Sequence, residues 1–117
     1  MYVEHFLNDD QRALQAAGRL RYMPGPPSVI EAPLNIGFVG RREQTGHPSQ
    51  KPEKVIEPLV EMTTVPGDLV LDPMCGSGTT GAVCRRLRRR SVLCDASDKY
   101  LTMAERRLGV TRRVRRD

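Results

Sequence analysis

The feature that most constrains this chain is the stretch Asp72 to Gly81, DPMCGSGTTG, placed directly behind the apolar residues of GDLVL. An apolar strand that runs into closely spaced glycines and then into a helix builds a strand–loop–helix unit. Without Cβ atoms at Gly76 and Gly78, the backbone can turn sharply and let a ligand approach. The N–H groups opening the next helix then face any negative charge in the loop. Gly76, Gly78 and Gly81 also satisfy G-x-G-x-x-G, and Asp95 follows nineteen residues after Gly76, the arrangement of a dinucleotide site. No Lys-Ser or Lys-Thr follows Gly81, which excludes a phosphate loop of the Walker kind.

The flanking sequence supplies a βαβ unit. EKVIEPLVEM sets Val55, Ile56, Leu59 and Val60 on one side of an amphipathic helix. Pro52 suits its first position, and Pro58 should kink it. VPGD is a turn, Leu69 to Leu71 a short buried strand, and a helix is expected from Thr79 to Leu87. SVLCD reads as a second strand and SDKYLTMAERRL as a further helix with Ser97 as N-cap. Upstream, Asp9 to Leu20 reads as a helix capped by Asp9 or Asp10. MPGPP breaks regular structure, SVIEAP is a strand candidate, and residues 34–46 form an exposed connection. The expected organisation is an N-terminal segment 1–46, an α/β core 47–110 that carries the glycine loop, and a disordered basic tail 111–117. The fold class is α/β with a partial, Rossmann-like sheet.

At 117 residues the chain is one small domain. Sixteen of its nineteen Lys and Arg residues are Arg, clustered at 41–42, 85–90 and 106–116, with net charge +5. Such clusters fit either phosphate contact or a solvated surface. Cys75, Cys84 and Cys94 form no C-x-x-C pair, and His5 and His47 are not spaced as their partners. No metal site and no disulfide framework is therefore expected. The N-terminus lacks a signal segment and no apolar run is long enough to span a bilayer, so a cytoplasmic protein away from membranes is expected.

Asp72 decides against a pyrophosphate. A carboxylate just ahead of the loop would repel one, whereas it would attract a cofactor's amino group, which points to the methionyl end of S-adenosylmethionine. A dinucleotide remains the competing reading. HPSQKPEKVIEPLVEMTTVPGDLVLDPMCGSGTTG resembles the joined cofactor motifs of DNA amino-methyltransferases, which modify adenine N6 or cytosine N4. The likeness is to the permuted group, whose cofactor motifs follow the catalytic ones. HPSQKP (47–52) is similar to that family's HPTQKP, and DPMCGSGTT to its DPFCGSGTT. RRSVLCD and Tyr100 match its second strand region, and the resemblance covers about residues 28 to 108.

The resemblance implies a partial S-adenosylmethionine-dependent methyltransferase fold with S-adenosylmethionine as cofactor and DNA as partner. Lys51 would help wall the methionyl end, with Met74 in place of the family's Phe ring. Asp72 would hold the amino group, Gly76, Gly78 and Thr79 the carboxylate, and Asp95 the ribose hydroxyls. Gly81 becomes incidental. Arg88 stands where a Gly usually ends the helix, so a left-handed cap is harder to form. Ser97-Asp98 replaces an Asp-Pro.

The family presents its target base with [Asp/Asn/Ser]-Pro-Pro-[Tyr/Phe/Trp], whose polar groups accept the amine hydrogens while the ring stacks on the flipped base. The nearest string here is Gly25 to Ser28, GPPS, which has neither the acceptor nor the ring. No catalytic residue is assigned. The chain is expected to be the cofactor-binding half of a site-specific DNA methyltransferase, with its sheet incomplete. It would need a complementary chain or self-association to cover the open strand edge, or be a truncated remnant. The alternative is a non-catalytic nucleic-acid-binding or regulatory module that kept the fold.

Overall fold

A computed structural model describes residues 6–21, 25, 28–33 and 42–112. In chain order the elements are α1 (Asp9–Ala16), α2 (Glu53–Thr63), β1 (Leu69–Asp72), α3 (Thr79–Arg86), β2 (Arg90–Leu93) and α4 (Asp98–Leu108). Most of the connection expected at 34–46, and the last five residues of the basic tail, lie outside the described residues.

β1 and β2 pair in parallel, from Leu69 opposite Arg90 to Asp72 opposite Leu93, with α3 as the crossover between them. The result is a partial Rossmann-like α/β unit whose sheet has two strands among the described residues. α2 and α3 close the core, where Val60, Val83 and Cys84 are buried and Ile56, Val70 and Leu87 pack around them. β2 starts one residue earlier than SVLCD suggests and ends at Leu93, so Cys94 and Asp95 lie in the loop beyond it.

The expectation of a buried β1 is corrected. Alternate residues of a strand face opposite sides, and helices cover only one side here. Val70 faces the core, whereas Leu69 and Leu71 remain 57% and 66% exposed, next to Val92 at 46%. Parallel sheets are ordinarily covered on both faces, whereas among the described residues this apolar face is left uncovered.

Three local expectations also change. α1 is capped by Asn8, not by either Asp: the Gln11 amide donates to Asn8 Oδ1 at 2.8 Å and the Asn8 amide to Gln11 Oε1 at 2.9 Å. That is a capping box, which satisfies two donors at once. Residues 28–33 form no strand, since extended backbone is stabilised only where a neighbouring strand pairs with it. Pro52 sits one residue before α2, at its N-cap, rather than at its first position.

At the end of α3 the cap forms even with Arg88 in place of a glycine. This residue does take the left-handed conformation, at φ 61°. The Arg89 amide donates to Cys84 O at 2.7 Å and the Arg88 amide to Arg85 O at 3.2 Å, the paired bonds of a Schellman cap. Arg89 anchors the turn. Its buried guanidinium donates to Thr64 O, Thr64 Oγ1 and Leu87 O. A non-glycine residue pays about 1–2 kcal/mol for that conformation. Arg88→Gly should therefore raise unfolding stability by about 1 kcal/mol, after allowing for the entropy of the freer unfolded chain. Urea denaturation measures this, and a loss of stability would contradict it.

Candidate functional site

Both strands deliver their C-terminal ends to one side, where ligands bind in open α/β sheets. The loop after β1, the loop after β2 and residues 47–51 together wall an open cleft of about 560 Å³, within the range of small-molecule sites. Lys51, Asp72, Met74, Gly76, Thr79 and Asp95 line it; Gly78, also expected there, does not.

Asp95 joins two of the walls. Its Oδ2 accepts the Gly76 amide at 2.8 Å and its Oδ1 accepts the Ser97 amide at 2.9 Å. These bonds, led by the one from Ser97, hold its carboxyl below the usual carboxylate range. Ser97 does stand at the N-cap of α4, but its side chain makes no capping bond. Asp72 has a matching arrangement on β1: Oδ1 accepts the Met74 amide at 3.0 Å and Oδ2 the Thr80 hydroxyl at 2.6 Å. Each carboxylate oxygen carries two lone pairs, so both acids are oriented by the chain yet can accept a further donor.

The glycines serve the chain's own packing. Gly76 lies at φ 51°, and a Cβ there would come within 3.2 Å of His47 Nε2. Gly78, at φ 77°, has α4 behind it: a Cβ would meet Ala104 Cβ at 2.9 Å. Its amide donates to Cys75 O at 2.8 Å. Gly81 is not incidental. A Cβ there would lie 2.6 Å from Leu93 Cδ1 and 2.9 Å from Leu108 Cδ1, so the third glycine seats α3 against β2 and α4. The donors left for a ligand are the first-turn amides of α3, which have no intrahelical acceptors.

His47 and Tyr100 line the cleft, and sequence reasoning did not assign them to the site. Their ring centroids are 4.2 Å apart and tilted by 56°. His47 Nδ1 accepts the Ser49 amide at 3.1 Å. The signal for His47 lay in its place at the head of HPSQKP, a segment that folds back onto the glycine loop. Lys51 is exposed, with Nζ donating to Ser49 O at 3.3 Å and Ser49 Oγ at 3.2 Å. Met74 is 83% exposed and forms an outer rim of the cleft. The Thr79 hydroxyl turns to the chain and donates to Lys51 O at 3.0 Å.

Two other chemistries find no support. Burial, then the charges of Asp72 and Asp95, push the Cys75 thiol up to about 11, so it stays protonated at neutral pH and makes a poor nucleophile. No cluster of three metal-ligating side chains occurs among the described residues. The arginines of 85–90 are largely engaged within the chain. Arg85 donates to Leu108 O, Arg86 pairs with Glu57 and Glu53, Arg89 holds Thr64, and Arg90 donates to Gly67 O.

A family model described as DNA methylase matches residues 34–106. The chain is 50% identical over 62 residues to the type II methyltransferase M2.DpnII of Streptococcus pneumoniae, covering 53% of this chain and 23% of that protein. It is 45% identical over 62 residues to M2.LlaDCHI of Lactococcus lactis subsp. cremoris, again 53% and 23%. The chain thus spans under a quarter of the length of these curated relatives. Among solved structures, the M1.HpyAVI–SAM complex superposes with TM-score 0.57 at 33% identity, covering 70% of this chain and 44% of that one. M1.HpyAVI alone gives 0.51 at 37% identity, covering 53% and 32%.

The two packing glycines should separate on substitution. Gly78→Ala meets an unyielding Ala104 methyl in a left-handed conformation and should cost about 3 kcal/mol. Gly81→Ala meets the movable ends of two leucines and should cost about 1 kcal/mol. Thermal unfolding of both variants checks the order, and equal losses would contradict it. Asp95 gives a pH signature. Its folded-state value is depressed, so its stabilisation is present above the unfolded carboxylate range and is lost as pH falls through the folded value. Asp95→Asn should flatten the acid limb of the stability profile, and an unchanged limb would contradict this.

Proposed function

The chain belongs to the DNA methylase family, and on that premise we propose that residues 47–110 form the S-adenosylmethionine-binding part of a site-specific DNA methyltransferase acting on adenine N6 or cytosine N4. The observation that carries this reading is the placement of two oriented carboxylates, Asp72 and Asp95, on either side of a helix N-terminus in one cleft. The donor set fits the cofactor's chemistry. Asp72 can accept from a methionyl ammonium, the first-turn amides of α3 can donate to a carboxylate, and Asp95 can accept from ribose hydroxyls. Lys51, Gly76 and Thr79 build the wall and floor between the two acids, while Met74 rims the cleft. The M1.HpyAVI–SAM complex, to which the chain is similar, supports the same assignment.

S-adenosylmethionine supplies a methyl group activated by its sulfonium. The residues of this chain bind and orient that donor; among the described residues none is placed to present a base. An exocyclic amine is a weak nucleophile because its lone pair is delocalised into the ring. Acceptors must draw off its hydrogens and an aromatic must hold the flipped base, and no Pro-Pro motif of that kind occurs in these 117 residues. We assign that role to the structure that packs on the uncovered face of Leu69, Leu71 and Val92, whether it belongs to the same polypeptide or to a complementary chain. Self-association over the same face is the other way to cover it. The non-catalytic nucleic-acid-binding reading draws on the Arg clusters, and the intrachain engagement of Arg85, Arg86, Arg89 and Arg90 weakens it.

Calorimetric titration tests the cofactor. S-adenosylmethionine should bind more tightly than NAD, and Asp95→Ala should weaken it at least tenfold, about 1.4 kcal/mol. Preference for NAD would overturn the assignment. Incubated with DNA and labelled cofactor, the chain alone should transfer no methyl group, and transfer should appear once a polypeptide carrying the Pro-Pro motif is added. Transfer by the chain alone would contradict the division of labour.

A further inference from the structure

Arg107 does not line the cleft, yet it bonds to Thr79, which does, and sits where the cleft's supports converge. It lies in the last turn of α4, and its side chain is only 9% exposed. One guanidinium nitrogen donates to Thr79 Oγ1 at 3.0 Å and another to Glu53 Oε1 at 2.7 Å. Thr79 is itself buried, and its single hydroxyl proton goes to Lys51 O at 3.0 Å. A hydroxyl has one proton and spare lone pairs, so Thr79 donates to the 47–52 segment while it accepts from Arg107. Glu53 begins α2 two residues beyond Lys51, and its amide is held by Glu43 Oε2 at 3.0 Å. Three segments that are distant in sequence are therefore bolted together at one buried guanidinium.

We propose that Arg107 is a positioning residue for the cofactor cleft, acting through the Thr79 hydroxyl to fix the 47–52 wall against the glycine loop. The fork geometry explains why an arginine does this: two nitrogens address two acceptors at once, on different elements. Lysine has a single ammonium on a flexible stem, and it would hold Glu53 or Thr79 less completely. Without the bolt, the Thr79 hydroxyl that holds Lys51 O loses the guanidinium that orients it, and the Glu53 carboxylate keeps its longer contact with Arg86 at 3.7 Å. The other ties of the segment are the ring contact of His47 with Tyr100 and bonds among residues 43–53. Loss of Arg107 should therefore loosen one wall while the strands and the Asp95 clasp stay intact. The expected effect on ligand rests on the cofactor reading above; the expected effect on the wall does not.

The experiment compares the 117-residue chain with Arg107→Met, which keeps the apolar stem, and Arg107→Lys, which keeps the charge. Amide hydrogen exchange is followed along the chain. In Arg107→Met, amides of residues 45–52 should exchange at least about tenfold faster, while those of β1 and the interior of α3 keep their protection. Unchanged protection at 45–52, or an equal loss everywhere, would overturn the proposal, the second showing a role in general stability only. Arg107→Lys should fall between the two. Thr79→Val should reproduce the local loosening and add little to Arg107→Met in the double variant, whereas Thr79→Ser should behave as the unaltered chain. Full additivity of the two losses would overturn the coupling through the hydroxyl. With cofactor, Arg107→Met should weaken S-adenosylmethionine about tenfold and adenosine far less, because the 47–52 wall serves the methionyl end. Equal weakening of both would contradict that placement. If the unaltered chain binds neither, the cofactor reading fails, and the exchange pattern still decides the bolt.

Discussion

Asp95 accepts the Gly76 amide with one carboxylate oxygen and the Ser97 amide with the other. Through those two bonds the loop leaving β1 and the entry to α4 become one rigid piece. The main-chain ladder runs up to the same point, with the Cys94 amide on Asp72 O and the Cys75 amide on Cys94 O, both at 2.9 Å. Beneath it, Gly78 and Gly81 let α4 and β2 approach α3. The cleft exists because these contacts hold its floor still, while the carboxylates that hold it keep lone pairs for a ligand. On the proposed reading, support and recognition are carried by the same atoms.

The uncovered sheet face is the counterpart of that rigid floor. On one side the sheet packs against Val60, Val83 and Cys84; on the other it shows Leu69, Leu71 and Val92 to solvent. The two strands among the described residues are supported by helices on one face, and an exposed apolar face of this kind invites association. The absence of a base-presenting motif from the sequence and the absence of a cover over this face point the same way. On the proposed reading, this chain supplies the cofactor-holding parts, and base-presenting parts belong with whatever completes the sheet.

Much of this was legible from residues alone. The strand–loop–helix unit, the parallel partner strand and α4 follow from apolar runs broken by glycine, and Asp95 from its distance behind the loop. The two glycine roles were not legible, because a G-x-G pattern does not say whether a ligand or the chain's own His47 and Ala104 needs the room. The fate of the arginines was hidden for a related reason. A cluster such as RRLRRR has the composition of a phosphate surface, but α2 and its following turn supply Glu53, Glu57 and Thr64 within reach. Arg88 shows tertiary context overriding local preference: the buried Arg89 anchors the turn and Arg88 follows into a conformation glycine would take more easily. SVIEAP failed as a strand because pairing, not β-propensity, makes a strand, and propensity is all that a short sequence window contains.

The central claim is that the cleft between the 47–51 segment, the glycine loop and the β2–α4 loop is where S-adenosylmethionine binds. Amide-resolved NMR during titration with the cofactor tests it most directly. The account predicts that the largest shifts fall on residues 47–51, Gly76 to Thr80 and Asp95 to Tyr100, with the Leu69–Leu71–Val92 face unaffected. Shifts centred on that outer face, or saturation without any response from Gly76 and Asp95, would contradict it.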